Sequence, residues 1–204
     1  PIPTKKGYTF LGWYLEETFI NKVNFPFEVT KDITLYAKWE EEFIDNVIFK
    51  VNNDGVLVSI DGINEKNNEI IIPMFVNDIE VKEIGEEVFL NNKFITKLVI
   101  PETVKTLGYK MCQGCVNLKE VVLPNMIEVI PDYAFEQCNS LSKINIPTSL
   151  VQIRNDAFSN TAIKEFNAPN SFKEIWNYAF KDCKELETVN LNNTSSIGDM
   201  SFEN

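Results

Sequence analysis

Leu98-Val99-Ile100-Pro101, Val121-Val122-Leu123-Pro124, Ile144-Asn145-Ile146-Pro147 and Phe166-Asn167-Ala168-Pro169 are four versions of one phrase, a short apolar strand closed by proline. The prolines stand 23, 23 and 22 residues apart. Proline has no N–H to give a sheet ladder, so each one ends a strand and turns the chain out of it. Other columns keep the same period. Ile84, Leu107, Ile130, Ile153, Ile175 and Ile197 form one, and Ile95, Leu118, Leu141, Ile163 and Leu186 another. Phe135, Phe158 and Phe180 each follow a proline by 11 residues, Phe89 and Phe202 occupy the same slot in the flanking repeats, and Cys112 replaces the aromatic once. A repeat this short cannot bury its own apolar face, so the fold must be a stack in which each column becomes a ladder. At a strand spacing of about 4.8 Å the phenylalanines should lie one on the next, each contributing roughly 2–3 kcal/mol through burial.

Working outward, Ile70-Ile71-Ile72-Pro73 has the form of the first strand of the coil. Before it, Asn46 to Val51 and Val56 to Ile60 alternate as short strands around Asn52-Asn53-Asp54-Gly55, a hairpin signal, and residues 41–73 are read as a linker and N-terminal β-hairpin cap. Residues 74–204 are the repeats, about five and a half units, ending within a unit at Phe202-Glu203-Asn204. Residues 1–40 differ: Gly7-Tyr8-Thr9-Phe10-Leu11-Gly12-Trp13-Tyr14 and Ile33-Thr34-Leu35-Tyr36-Ala37-Lys38-Trp39 alternate apolar and polar residues as half-buried strands do. Their aromatics Trp13, Tyr14, Tyr36 and Trp39 are expected to be a miniature core and not a carbohydrate platform. The chain opens Pro-Ile-Pro, which suggests a piece of a longer protein.

Two resemblances follow from these residues. Asp132-Tyr133-Ala134-Phe135-Glu136-Gln137-Cys138-Asn139-Ser140-Leu141, followed by Ile144-Asn145-Ile146-Pro147 and Ile153, resembles the BspA-type leucine-rich repeat, and the likeness recurs from about residue 46 to residue 204. Local departures are Met111-Cys112 for the usual Ala-Phe, Thr161 in the cysteine slot, and Pro131, Arg154 and Trp176 where glycine often stands. The first forty residues resemble the Listeria/Bacteroides repeat, the small β-grasp-like B-repeat of internalins, without its opening strand. The expected fold is therefore mainly β with short turns or helical segments: a partial β-grasp-like module, a hairpin cap and a leucine-rich-repeat solenoid.

Composition narrows the chemistry. The 204 residues carry 19 basic and 30 acidic side chains, a formal charge of −11, and no histidine. So acidic a chain lacks the phosphate-neutralising patch that nucleic acid requires. Without histidine there is no Ser-His-Asp or Cys-His catalysis and no histidine-ligated metal. No apolar run approaches the roughly 18 residues of a membrane span, so no membrane insertion is expected. Cys112-Gln113-Gly114-Cys115 has the spacing of a redox pair or half a zinc site. The repeat register assigns it differently, since Cys115, Cys138 and Cys183 share one column and read as small buried thiols. Asp54-Gly55 and Asp61-Gly62 are turn chemistry and lack the ligand spacing of a calcium loop. Glu86-Glu87 and Glu41-Glu42, adjacent in an acidic surface, are a poor glycosidase pair. No catalytic residue, cofactor or metal is expected.

What remains is the sheet face. With Leu98 and Ile100 pointing inward, the outward residues form two columns. Lys97, Glu120, Lys143, Glu165 and Thr188 alternate in charge, as cross-strand pairing would have it; Val99, Val122, Asn145, Asn167 and Asn190 form a mixed apolar and amide stripe. These residues are the candidate partner-binding face. The two family resemblances together imply a non-catalytic, extracellular or cell-surface bacterial protein, adhesin or internalin-like, whose partner is a host or bacterial surface or extracellular-matrix protein. The alternatives are a structural spacer of a surface protein and a non-catalytic region of a larger surface enzyme.

Overall fold

The computed structural model describes Pro3, residues 8–41 and residues 47–204. They fall into two compact units, Pro1–Asp45 and Asn46–Asn204.

In the first unit Tyr8–Tyr14 pairs antiparallel with Tyr36–Glu41, with a bulge between Phe10 and Gly12. The 15–21 loop closes on a single carboxylate: Glu16 Oε1 accepts from the Ile20 N–H at 3.0 Å and the Asn21 N–H at 2.6 Å. Phe10 meets Trp13 and Trp39 edge to face at 5.4 and 5.3 Å. Of the four aromatics expected to form the core, only Tyr14 is buried; Trp13, Tyr36 and Trp39 are half-buried. A two-stranded sheet is too small to cover three large rings.

The second unit is a coil with three sides. On the first, Glu69–Ile71, Lys97–Val99, Glu120–Val122 and Lys143–Ile144 pair in parallel, and Glu165–Asn167 pairs with Thr188–Asn190. On the second, Val56–Asp61, Glu83–Ile84 and Thr106–Leu107 form one parallel set, and Val129–Ile130, Gln152–Ile153, Glu174–Ile175 and Ser196–Ile197 another. The hairpin expected before the repeats is present as Ile48–Val51 against Val56–Asp61, and its second strand is the first rung of this side. Asn52 Oδ1 holds the turn by accepting the Asp54 and Val56 N–H groups, with Gly55 at φ +85°. Asn46, the expected start of that hairpin, lies outside the described residues. A second hairpin, Phe75–Val76 with Ile79–Glu80, turns on Asn77 and Asp78, both left-handed, and was not apparent in the sequence.

The third side is a chain of turns; among the described residues there is no helix. Two left-handed residues per repeat forbid one. The first set runs Glu87, Lys110, Tyr133, Asp156, Tyr178 and Met200, and the second includes Asn91, Gly114, Gln137, Asn160 and Asp182. These turns carry their own ladder, in which each repeat donates to the next: Phe89 N–H to Met111, Cys112 to Ala134, Phe135 to Ala157, Phe158 to Ala179 and Phe180 to Ser201, all at 2.8–2.9 Å.

Inside, the aromatic spine forms as the period requires. Phe135, Phe158, Phe180 and Phe202 are stacked with centroids 5.3–5.4 Å apart and planes within 15°. The four cysteines are buried and free. Cys115 donates to the Phe89 carbonyl, Cys138 to that of Cys112 and Cys183 to that of Phe158, at 3.0–3.1 Å, so this column ties each turn to an earlier one. Burial pushes the Cys112, Cys138 and Cys183 thiols up, away from the reactive thiolate.

Both β sides are interrupted, at different rungs. On the second side Thr106–Leu107 does not pair with Val129–Ile130. Pro131 accounts for one missing bond. After four other strands of this side the next residue donates to the preceding rung, Gly85 to Leu57, Arg154 to Ile130, Trp176 to Ile153 and Gly198 to Ile175, and proline has no N–H to give Leu107. The interruption on the first side shapes the candidate site.

Candidate functional site

The residues singled out from the sequence sit on the first side as the alternation predicts. Lys97 and Glu120 form an ion pair at 2.7 Å, and their hydrogen bond holds the Glu120 carboxyl below its ordinary value and raises Lys97. The rest of that column does not pair as expected: Lys143 and Glu165 face each other across the interruption and form no salt bridge. In the second column Val99 and Val122 are cross-strand neighbours. Asn145 turns its amide onto the Leu123 backbone, and Asn190 donates to Asn167 at 2.5 Å. Three of the five residues of the expected stripe therefore have their amides engaged within the coil.

The structure adds Ile71, which pairs in register with Val99 and is 69% exposed. The outward apolar run is thus Ile71, Val99 and Val122, of which Val99 is half-buried. Its signal was present in Ile70-Ile71-Ile72, where the middle isoleucine must point outward if its neighbours point in.

Beside this run the sheet is split. Among the described residues no backbone bond joins residues 142–146 to residues 164–168, although equivalent bonds link Ile72 to Val99, Ile100 to Val122 and Ala168 to Asn190. Two local features explain the split. Phe158 to Ile163 is one residue shorter than Phe135 to Leu141 or Phe180 to Leu186, so the corner entering the strand Glu165–Asn167 is clipped. The Ala162 N–H bonds to Leu141, while the Lys164 N–H and Glu165 N–H do not reach Ser142 as their counterparts in other rungs do. Phe166 also places a ring where other strands carry Leu, Val or Ile, packed against Phe172 and Phe180 at 5.3 and 5.1 Å. The core opens there. Ile144 and Ile146 are half-buried, whereas their counterparts Leu98, Ile100, Val121, Leu123, Phe166 and Ala168 are all at most 3% exposed. A depression of about 860 Å³ occupies the split, bounded by Val122, Lys143, Asn145, Lys164, Glu165 and Glu187. It presents apolar surface, backbone hydrogen-bonding groups and charges of both signs, which is equipment for holding a macromolecule.

Sequence comparison agrees with this architecture. Residues 67–140 and 107–204 match the BspA type leucine rich repeat region, over more than half of the chain. The chain belongs to the BspA-type leucine-rich-repeat family. Residues 1–38 match the Listeria-Bacteroides repeat domain. Among solved structures, a leucine-rich repeat protein of Bacteroides ovatus is 26% identical with a TM-score of 0.63; the alignment covers 72% of this chain and 40% of that one. A leucine-rich repeat protein of T. pallidum shares the fold at 20% identity and a TM-score of 0.59, covering 74% of this chain and 82% of that one. A protein of Evansella cellulosilytica is 49% identical over 39 residues, 19% of this chain and 6% of its own length. The chain thus spans only a small part of that relative and less than half of the Bacteroides ovatus protein. A BspA-type coil with an uncovered sheet face supports a role in protein–protein interaction. No helix among the described residues is long and apolar enough to cross a membrane.

Proposed function

We propose that this chain is a non-catalytic binding region of a bacterial surface or secreted protein, adhesin or internalin-like, that engages a host or bacterial surface or matrix protein through the first side of its coil. The observation that carries the reading is the in-register run Ile71, Val99 and Val122, of which Ile71 and Val122 are 69% and 38% exposed. Full burial of such a side chain is worth roughly 1.5–3 kcal/mol, and a partner that covers these recovers the part that their exposure leaves in water. The charge column beside the run, with Lys97 and Glu120 already paired, supplies a polar rim.

The test is binding of the purified chain to immobilised extracellular-matrix proteins and to host cells, compared with Ile71→Lys and Val99→Lys variants of unchanged thermal stability. Loss of binding in the variants is expected; equal binding removes this face. A spacer role is favoured by one feature, the self-satisfied amides of Asn167 and Asn190, and predicts no binding at all.

A further inference from the structure

The split in the first side leaves the edge of one rung unpaired, between the Ala162 N–H bond to Leu141 at one end and the Ser171 hydroxyl bonds to Thr148 and Leu150 at the other. On one wall the Ile144 and Ile146 N–H groups point toward a following rung, as those of Ile72, Ile100 and Ala168 do, and meet no backbone partner. On the other wall Glu165–Asn167 pairs with Thr188–Asn190 alone. Between them lies apolar surface of Ile144 and Ile163. Elsewhere this chain satisfies the same edge with its next strand, and where a side chain must substitute, as Asn145 does for Leu123, it mimics a backbone pair.

We propose that the split is a peptide-binding cleft whose occupant is an extended segment of a partner protein, added as a strand along residues 143–146. The inference rests on the reading that the first side of the coil binds proteins, and it names the partner's chemistry. Strand addition supplies affinity through main-chain hydrogen bonds and selectivity through alternate side chains. In the register of the coil, one side chain of the segment points inward onto Ile144 and is apolar, and its neighbours point outward and are polar. Charge bears on the outward position near the corner. Lys143 and Glu165 stand there at one level on the two walls, with Lys164 and Glu187 one level before, and among the described residues none of the four forms a salt bridge, so a residue of either charge finds a partner there. The next outward position lies between Asn145 and Asn167. The segment is therefore expected to read charged, apolar, then polar.

The test is selection from a displayed library of random peptides of about ten residues, the upper end of ordinary strand length. Enriched peptides should carry a charged residue followed by an apolar one and slow amide hydrogen exchange at Ile144 and Ile146. Their affinity should fall at least about tenfold, for acidic peptides with Lys143→Glu combined with Lys164→Glu and for basic ones with Glu165→Lys combined with Glu187→Lys. It should fall similarly for a chain in which one asparagine inserted between Thr161 and Ala162, with Phe166→Leu, restores the 23-residue spacing and closes the split. Should the closed variant fail to fold, the charge-reversed variant and the exchange pattern decide. No enriched peptide, protection confined to other amides, or full binding by the closed variant overturns the proposal. Peptides that lose binding to Ile71→Lys but bind the closed variant normally would keep the face and remove the cleft.

Discussion

The side chain of Asn145 replaces a backbone rung for Leu123: its Oδ1 accepts the Leu123 N–H at 2.7 Å and its Nδ2 donates to the Leu123 carbonyl at 2.8 Å. The two bonds close the ladder at the last paired rung before the split. Asn145→Ala leaves both Leu123 groups to solvent in a part-buried setting and should cost about 1–2 kcal/mol. Asn145→Asp keeps the acceptor but sets a second oxygen against the Leu123 carbonyl, and should be no more stable than the alanine variant. Urea denaturation of the three proteins checks the order.

Phe158 is stacked between Phe135 and Phe180 and is 1% exposed. Phe158→Ala removes a ring from the middle of the spine, and the expected loss is about 3–5 kcal/mol. A substitution at Phe202, which has one stacked neighbour and is half-buried, should cost less. Equal losses at the two positions would mean that the spine does not act as a stack.

Gly108 illustrates how closely rungs approach on the second side. A Cβ there would lie 2.3 Å from the Gly85 carbonyl carbon and oxygen. Gly108→Ala must push two backbones apart, and a cost of about 1–3 kcal/mol is expected from overpacking of this kind. The measurement is the shift in denaturation midpoint.

Asp156 gives a pH-dependent prediction. Burial first, then the neighbouring Glu136 and Asp132 carboxylates, raise its carboxyl above the ordinary 3.8, with Lys181 opposing. A carboxyl whose pKa is raised by folding destabilises the folded state when ionised, and the penalty is relieved as pH falls through the raised value. Asp156→Asn, which keeps a residue tolerant of the observed φ of +53°, should raise the melting temperature at pH 7. The gain should vanish below the ordinary aspartate value. Melting curves at neutral and acid pH decide it, and a gain independent of pH would assign the effect to something other than charge.

The thiols predict slow chemistry. Cys112, Cys115 and Cys138 are fully buried, and burial raises the first and last of these. A thiol reagent should label the native chain slowly and all four cysteines at once in guanidinium. Rapid native labelling at Cys112 or Cys115 would restore the redox reading of that pair.

Much of this molecule was legible in its residues because a stacked repeat writes its tertiary contacts at a fixed sequence distance. The spacing of Pro101, Pro124, Pro147 and Pro169 determined the coil, that of Phe135, Phe158 and Phe180 the spine, and that of Cys115, Cys138 and Cys183 the thiol column. The outward positions of Lys97, Val99, Glu120 and Val122 followed from alternation alone. What only the tertiary structure decided is where the ladders fail and what that exposes. The clipped corner between Phe158 and Ile163 was visible as a 22-residue interval, but a period reports which residues align and not whether aligned strands come within hydrogen-bonding distance. That depends on corner length, on the ring of Phe166 and on the turn-side ladder, which stays bonded while the sheet beside it parts.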